Sequence, residues 1–420
     1  MDRFTDDADT ADLHRFLLCV PCAIFMSSWF KKLYMKKFFI RIAIIIAVLL
    51  SAYFIWSFTG RAKEKETGWS KLPEFKARFE YVEAGIDSGK GNIIGIQPYL
   101  TATSYSTAFN FEVSLRFYFE QLKRENKLND KSIVVLPEYI GTWLVAANEK
   151  ETIYKQETIE KAMTTMVRSN LFSFLYSYLK SPAADKSRYA VFHLKAAKMV
   201  KQYQQVFSTL AKEYKCTIVA GSIALPDASI SSNGKLQIKE GAPVYNTSVV
   251  FGNDGAILPP LIKKMFPIDE EQGFTASADT AQQPVFTTTA GRMAVLICAD
   301  SWYPQAYNNL TNKTDFIVVP SLAGNDSVWL APWKGYNGFT APADVDTTDY
   351  KKISEGDAWL KYSMNKRAVQ ANIHQGMNVF FTGSLWDIKP EGRVLILQND
   401  STTVLPASVG KGRIVNLYLQ

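Results

Sequence analysis

The stretch "MAVLICADSWYPQ", residues 293–305, places a cysteine where an apolar run gives way to a polar, aromatic turn. An uninterrupted apolar run of this kind is typical of a strand that is covered on both faces of a sheet. In open α/β sheets, ligands bind at the carboxyl ends of the strands. We therefore expect the thiol of Cys298 to be aimed by the sheet and to face a pocket, whereas a thiol in mid-strand would be buried and inert.

The remainder of the chain repeats this pattern. Apolar runs predict further strands at 92–98, 132–138, 217–223, 246–252, 315–321, 378–384 and 393–398. Helical patterns lie between them at 111–124, 157–180, 192–213 and 357–373. Strands that alternate with helices predict a layered α/β domain.

Two connections are unusually long, residues 141–190 and the Trp- and Tyr-rich segment 323–352. Long irregular loops in compact domains are often lids or binding loops. A surface insertion without a role in function is an equally acceptable interpretation of each.

Composition narrows the class of protein. The chain has 420 residues, 47% hydrophobic and 21% charged, and its four cysteines are too few for a disulfide framework. Residues 1–65 hold ten Lys/Arg against six Asp/Glu, and the rest of the chain holds 37 against 34. A balanced body without a nucleic-acid motif argues against a nucleic-acid partner. No metal-ligand spacing is visible, so we expect neither a metal nor an organic cofactor.

The basic N-terminus has a different explanation. The uncharged run "IAIIIAVLLSAYFIWSF", residues 42–58, extends back to Phe38 if Arg41 snorkels, and predicts a transmembrane helix at 38–58. Basic residues precede it, which by the positive-inside rule places residues 60–420 on the extracytoplasmic side, periplasmic or extracellular. A cleaved signal peptide, or translation that starts at Met35, remains an alternative.

The predicted organisation has four parts. Residues 1–37 form an N-terminal segment, cytoplasmic or partly inserted in the membrane, followed by the helix at 38–58. A charged linker at 59–80 leads to the α/β domain at 81–420, which contains both long inserts. Cys19 and Cys22 form a CxxC pair, but no second ligand pair accompanies it, so we predict no metal or redox site there.

Three strand ends carry side chains that suit chemistry: Glu138, Cys298 and Ser321. A cysteine becomes a nucleophile only as the thiolate, so it needs a base nearby. A Cys298–His374 pair is conceivable, but Glu138 is the better candidate if burial raises its pKa. Taken singly, the glutamate is better explained as a strand-end cap and the cysteine as an inert buried thiol.

A lysine is the third component. The stretch "YNTSVVFGNDGAILPPLIKKMFP" runs from a strand through a turn to an apolar segment that ends in Lys263 and Lys264. A lysine at this point can lie in a pocket, where it would stabilise a thiolate and the oxyanion of a tetrahedral intermediate.

The motifs "VVLPE", "GAILPPLIKK" and "ICADSWYP" resemble, in order and setting, the three catalytic positions of the carbon–nitrogen hydrolase, or nitrilase, superfamily. The spacing typical of that family, counted from Gly255, selects Lys263 rather than Lys264. The second glutamate of the family matches Glu271, with Glu270 as the near miss. The resemblance covers residues 90–400 approximately, including several supporting strands.

The resemblance implies a four-layer α-β-β-α sandwich and a homodimer or larger homo-oligomer. It implies that Cys298 attacks a small amide, nitrile or carbamoyl substrate, with Glu138 as base and Glu271 assisting. Lys263 and a backbone N–H near Ala299 would hold the oxyanion. Two alternatives stay open: an N-acyltransferase that uses the same acyl-cysteine, and a catalytically silent, membrane-tethered binding protein.

Two residues outside these motifs also receive an interpretation. Cys216 opens a strand rather than closing one, so we interpret it as structural. Ser321 and the aromatic segment 323–352 are candidates for the pocket lining.

Overall fold

The computed structural model of the chain describes residues 10–64, 79–279, 283–324 and 326–420. It contains two compact units, Met1–Thr59 and Gly60–Gln420. The side chains of Cys19 and Cys22, and linker residues 65–78, lie outside the description.

The first unit contains one long helix, α1, which spans Thr10–Phe58 and includes Pro21. Its part Lys31–Phe58 is long and apolar enough to cross a membrane. At 1.5 Å per residue, such a segment reaches about 40 Å, more than the roughly 30 Å hydrocarbon core of a bilayer. The structure thus contains a candidate membrane span where the sequence predicts one.

The second unit contains the remaining helices and the strands. Its helices are α2 (Ala108–Arg124), α3 (Ile159–Ser169), α4 (Leu171–Lys180), α5 (Lys186–Tyr214), α6 (Asp269–Gln272), α7 (Asp326–Leu330), α8 (Glu355–Tyr362) and α9 (Met364–Gln370). Its strands are β1 (Phe79–Ala84), β2 (Asn92–Gln97), β3 (Tyr99–Thr101), β4 (Ser132–Val135), β5 (Thr217–Val219), β6 (Ile223–Pro226), β7 (Ser229–Ile230), β8 (Leu236–Gln237), β9 (Val244–Phe251), β10 (Ile257–Lys263), β11 (Val285–Thr288), β12 (Gly291–Val295), β13 (Phe316–Ser321), β14 (Gln375–Phe380), β15 (Thr382–Ser384), β16 (Leu395–Gln398), β17 (Ser401–Val404) and β18 (Gly412–Tyr418).

These strands form two large sheets. The first has the order β1-β18-β2-β4-β5-β9-β10, with β6 also paired to β9, and the second has the order β11-β12-β13-β14-β16-β17. Strands β2, β4 and β5 are parallel to one another, as are β12, β13 and β14. Strands β2, β4, β5 and β13 are buried along their whole length, which explains their continuous apolar runs.

The two sheets pack face to face. Gly95 of β2 lies so close to the second sheet that a Cβ atom there would stand 2.4 Å from the Met377 sulfur. Helices α2 and α5 cover the outer face of the first sheet, where Phe207 packs on Phe251. Helix α8 covers the second sheet, with Trp359 against Phe380. The layer order is helix, sheet, sheet, helix, which confirms the predicted mixed α/β fold.

Several elements differ from the sequence-based prediction. The predicted helix at 157–180 is two helices, α3 and α4, which meet at Asn170, and the one at 357–373 breaks at Ser363. The edge strand β1 and the strand β18 were not predicted. β18 lies between β1 and β2 in the sheet and pairs with strands more than 300 residues away. Such pairing depends on distant partners that local patterns do not reveal.

Candidate active site

Cys298 opens a short 3-10 helix, Cys298–Trp302, three residues after β12 ends. Its backbone has a φ of 48°, in the left-handed region that non-glycine residues seldom adopt. Strain of this kind is common at functional sites, where it turns a side chain towards a pocket. The Sγ atom lies 3.8 Å from the carbonyl oxygen of Leu322. Burial first, and then the Glu138 carboxylate, raise the pKa of this thiol, while Lys264 opposes them.

Glu138 lies three residues after β4 and is only 1% exposed. Its Oε1 accepts hydrogen bonds from Lys264 Nζ and Asn246 Nδ2, both at 2.8 Å. Its Oε2 accepts one from the backbone N–H of Leu322 at 2.9 Å, and the Cys298 side chain is a further hydrogen-bond partner. Burial raises the pKa of Glu138, against the effect of Lys264. The Glu138 carboxylate therefore interacts with both the Cys298 thiol and the Lys264 ammonium group.

The turn that carries Glu138 is held by the segment after β5. Gly221 has a φ of 61°, and a Cβ there would lie 2.0 Å from the Pro137 carbonyl oxygen. Only glycine permits so close an approach in this conformation. The backbone N–H of Tyr139 donates to Ser222 Oγ at 2.8 Å. These contacts fix the backbone on both sides of the glutamate.

Lys264 supplies the ammonium group of the cluster, and not Lys263, which the motif spacing selects. Lys264 is 1% exposed, and its Nζ lies 2.8 Å from Glu138 and 2.6 Å from Glu271. The Lys263 side chain is 24% exposed and pairs instead with Asp227 at 2.6 Å.

The physical reason is an irregularity in β10. Leu258 pairs with Val250, but Ile262 pairs with Ser248, so the register shifts between these two points. A motif spacing counted from Gly255 assumes that the strand is regular. With the shift, Ile262 and Lys264 are the buried residues, and Lys263 between them points to the other side.

Glu271 completes the cluster from helix α6. Its Oε2 accepts from Lys264 Nζ and, at 2.9 Å, from the backbone N–H of Ile268. Its Oε1 accepts from Tyr139 Oη and, at 3.2 Å, from Asn246 Nδ2. Although burial opposes it, the Lys264 charge and these hydrogen bonds lower the pKa of Glu271. Glu270, the near miss, instead accepts from Asn337 at the surface.

Asp300 holds the turn that follows Lys264. It is fully buried, and its Oδ1 accepts from the backbone N–H groups of Met265 at 3.0 Å and Phe266 at 2.8 Å. Burial raises the pKa of Asp300 to about 7. The residue thereby links the Cys298 helix to the lysine-bearing strand.

A pocket of about 430 Å³ opens beside Cys298. Ala299 lies in its wall, as does the segment Leu322–Gly324. Six aromatic residues line it, from the cysteine turn, the 323–352 insert and helix α8: Trp302, Tyr303, Trp329, Trp333, Tyr336 and Trp359. Glu270 and Glu355 also border it. The 323–352 insert therefore forms a wall of this pocket.

Other residues singled out in the sequence lie elsewhere. His374 accompanies Asp400, 2.5 Å away, and lines a different surface pocket, so it does not form a dyad with Cys298. Ser321 is fully buried at the end of β13 and is not part of the aromatic pocket's lining. Cys216 is fully buried in the core between α5 and the first sheet, in keeping with a structural role.

Three contributors escaped the sequence analysis: Tyr139, Asn246 and the backbone of Leu322. Tyr139 directly follows Glu138, and Asn246 lies inside a strand, so neither carries a local signal of chemistry. The signal that was available for Asn246 is polarity, because an amide in an otherwise buried strand needs a partner. Leu322 contributes through its main chain, which is independent of residue type.

The described residues do not group three or more His, Cys, Asp or Glu side chains in a way that could hold a metal ion. The site consists of a strained cysteine, a buried carboxylate in contact with it and a buried ammonium group. Such a constellation suits nucleophilic catalysis with a general base and an electrostatic stabiliser. The fold and the site thus define an α/β protein with a candidate active site around Cys298.

Comparison with protein families makes the assignment specific. Residues 131–374 match the family model described as "Carbon-nitrogen hydrolase", which covers more than half of the chain. The chain belongs to the carbon–nitrogen hydrolase family, and the protein is a carbon–nitrogen hydrolase with the nitrilase-like fold. Comparison with curated proteins gave no match.

Solved structures with a similar fold include an amidase from Nesterenkonia sp., at 10% identity and a TM-score of 0.48, covering 79% of this chain and 92% of that one. The carbon-nitrogen hydrolase from Helicobacter pylori G27 has 17% identity and a TM-score of 0.47, with 78% and 89% covered. Saccharomyces cerevisiae Nit3, of the nitrilase superfamily, has 14% identity and a TM-score of 0.45, with 78% and 89% covered. The family assignment therefore rests on the sequence match.

Proposed function

We propose that the protein hydrolyses a non-peptide C–N bond of a small amide through an acyl-Cys298 intermediate, with a Glu138–Lys264–Cys298 triad. The observation that carries this proposal is the position of Glu138. Its buried carboxylate is hydrogen-bonded both to Lys264 Nζ and to Cys298, and Cys298 lines the aromatic pocket. A base within hydrogen-bond reach of the nucleophile is the first geometric requirement for this chemistry.

In the first half of the reaction, Glu138 takes the thiol proton as the sulfur of Cys298 bonds to the carbonyl carbon. Because burial raises the pKa of the Cys298 thiol, the thiol is neutral at rest in this proposal and becomes the thiolate only as Glu138 takes its proton during attack. The electron pair of the carbonyl moves to its oxygen. Lys264 and the backbone N–H of Ala299 would stabilise that oxyanion.

In the second half, the tetrahedral intermediate collapses and the C–N bond breaks. The leaving nitrogen takes the proton held by Glu138, which leaves a thioester on Cys298. Glu138 then removes a proton from water, and the hydroxide attacks the thioester carbon. The acid departs, and the sulfur recovers the proton from Glu138. The net change is amide and water to carboxylic acid and amine.

Glu271 supports the triad in this proposal without contact to the reacting carbon. It shares Lys264 with Glu138 and is tied to Tyr139 and Asn246. Two carboxylates around one ammonium group hold Lys264 charged, since they raise its pKa despite its burial. We assign Glu271 to positioning.

The lining of the pocket favours an apolar, aromatic acyl group. The rings of Trp302 and Tyr336 meet edge to face at 5.6 Å, and Trp302 and Trp359 at 4.8 Å, which leaves rigid apolar walls beside Cys298. Pockets of this size and character bind small organic molecules through apolar contact, with a few polar groups for orientation. Aryl-substituted amides fit this description better than formamide or urea.

We further propose that helix α1 anchors the enzyme in a membrane with residues 60–420 on the extracytoplasmic side. The basic residues before the apolar run support this orientation. A reporter domain that is active only outside the cytoplasm, fused after Gln420, should be active in cells. Activity of a cytoplasm-dependent reporter in the same position would reverse the proposed topology. A homodimer or larger homo-oligomer, inferred from the family resemblance, stays a prediction for sedimentation analysis in detergent.

The experiment that tests the proposed chemistry uses the full chain in mild detergent. The protein is incubated with a panel of aryl and alkyl amides, nitriles, N-carbamoyl compounds and aryl esters. Intact and peptide mass spectrometry report acyl groups on Cys298, and a coupled assay reports released ammonia. We expect a transient acyl adduct on Cys298 together with ammonia from at least one amide.

Cys216→Ala is the matched control, because it removes a thiol that is buried in the core between α5 and the first sheet and does not line the aromatic pocket. Adduct and ammonia should persist in Cys216→Ala and disappear in Cys298→Ala. An adduct that stays until an amine is added would replace hydrolysis by acyl transfer. No adduct with any compound of the panel would contradict the acyl-cysteine mechanism and favour the silent binding protein.

A further inference from the structure

Helix α4 presents an unusual surface. Its sequence, "LFSFLYSYLK", has one charged residue, Lys180, at its last position. Leu175, Tyr176 and Leu179 are 44%, 54% and 78% exposed. Single apolar residues on a surface are ordinary, but a contiguous group of large ones indicates an interaction site. Tyr176 and Leu175 lie three and four positions before Leu179, so the three residues share one face of the helix.

The opposite side of α4 holds it to the body. Ser177 is buried, and its hydroxyl lies 3.0 Å from His193 Nδ1 on α5. The backbone N–H of Gly241 donates to His193 Nε2 at 3.1 Å, which leaves Nδ1–H as the donor to Ser177. This contact and the packing of α4 against α5 fix which face of α4 points outwards.

The chain enters the folded body beside the start of α4. Arg61 follows the end of α1, Phe58, by three residues. Its NH2 donates to the Ser169 carbonyl oxygen and to Asn170 Oδ1, both at 3.1 Å, and Asn170 directly precedes α4. Three extended residues span about 10 Å at most. The segment that leaves the apolar helix is therefore bound at the N-terminus of α4.

A buried charge network makes that attachment firm. Glu149 is fully buried, and its carboxylate accepts from Arg61 NH1 at 3.2 Å and from Asn170 Nδ2 at 2.9 Å. Lys195 of α5 is a further ion-pair partner of the same carboxylate. The backbone N–H of Ala62 also donates to the Glu149 carbonyl oxygen at 2.8 Å. The first residues after the apolar helix thus belong to the folded body.

We propose that α4 is an interfacial membrane helix, whose face of Leu175, Tyr176 and Leu179 lies at the boundary between lipid headgroups and acyl chains. The proposal rests on the membrane anchor, because only a bilayer that holds α1 brings lipid to the place where the chain enters the body. Helices of this kind bury an apolar face by several ångströms while basic residues stay at the headgroups. Tyrosine favours that boundary, and Arg168 and Lys180 flank α4 on either side.

The test uses the full chain in vesicles of phosphatidylcholine and phosphatidylglycerol that contain phosphatidylcholine with a diazirine in its acyl chain. After irradiation, trypsin releases residues 169–180, which is the whole of α4, because Arg168 and Lys180 are its flanking cleavage sites. We expect lipid attached to this peptide, and a more than fivefold decrease in that labelling in Leu175→Asp/Leu179→Asp. The double variant should keep the acylation of Cys298 on soluble substrate, which shows that it folds.

The control is an apolar residue that is exposed elsewhere. Val409 is 62% exposed and lies in the tryptic peptide 394–411. It should remain unlabelled. Labelling of α1 without labelling of α4 overturns the proposal, and so does equal labelling of the Val409 peptide, since lipid would then follow exposure alone. If α4 loses its label as the protein-to-lipid ratio rises tenfold, a second copy of the chain covers the face instead of lipid.

Discussion

Lys263 and Lys264 are neighbours in sequence, yet their ammonium groups lie in opposite environments. Lys264 Nζ is buried between two carboxylates, 2.8 Å from Glu138 and 2.6 Å from Glu271. Lys263 Nζ lies over the ring of Tyr245, 4.7 Å from its centroid, and pairs with Asp227. The pair offers a test in which charge and residue type are matched, while the burial and the partners of the ammonium group differ.

We expect Lys264→Met to lower kcat/KM by about 10²-fold or more, because the oxyanion loses its cation. The variant should also unfold more easily, by about 3–5 kcal/mol, since two buried carboxylates lose their counter-charge. The kcat/KM of Lys263→Met should stay within about threefold of the parent value, because Lys263 forms only a partly exposed ion pair. Steady-state kinetics and thermal unfolding of both variants measure this. The reverse order of effects would restore the spacing-based assignment.

Asp300 should act through position and not through charge. In Asp300→Asn the side-chain oxygen still accepts from the backbone N–H groups of Met265 and Phe266, so kcat/KM should stay within about threefold. Asp300→Ala leaves both buried N–H groups without their acceptor, so the turn after Lys264 shifts, and we expect a loss of about tenfold or more. A parallel loss in both variants would instead indicate that the carboxyl group itself takes part in proton transfer.

Glu355 makes stability depend on pH. Burial raises the pKa of this carboxyl from 4.5 to about 7 in the folded protein. The pKa of Glu355 is higher in the folded than in the unfolded protein. The contribution of the carboxyl to the free energy of unfolding is therefore fully present below the unfolded-state pKa and is lost as pH rises towards 7. Glu355→Gln should therefore be as stable as the parent near pH 4.5 and more stable at pH 8 by about 1–2 kcal/mol. This difference is smaller than the full pKa shift implies, because the carboxyl borders the pocket. Melting temperatures across this pH range measure the difference, and two parallel profiles would contradict it.

Tyr336 should affect which substrates bind. Its ring lines the pocket, and its hydroxyl donates to the Trp302 carbonyl oxygen at 3.1 Å. We expect Tyr336→Ala to raise KM for aryl amides about tenfold, through loss of apolar contact, and to change that of acetamide little. Tyr350 of the same insert is not among the residues that line the pocket, so Tyr350→Ala is the control. Equal effects on aryl and small amides would indicate general disturbance of the insert.

The sequence alone determined the class of fold and most of the site. Continuous apolar runs between helical patterns predicted the parallel strands, because a strand covered on both faces has no polar side. The same runs ended on Glu138 and Cys298, at the carboxyl ends of strands, where ligands of α/β sheets bind. The apolar helix near the N-terminus was equally visible, since a candidate membrane span is a property of composition and length.

The tertiary structure decided those features of the site that depend on residues far away in the sequence. The register shift in β10 follows from its pairing with β9, and it turned Lys264 rather than Lys263 into the cluster. Asn246 and the backbone N–H of Leu322 became hydrogen-bond donors to Glu138 only because segments far apart in sequence come together in the fold. The aromatic pocket needed the 323–352 insert to fold over Cys298. A local pattern fixes which face of an element is apolar, but the direction of one side chain depends on the register set by its neighbours.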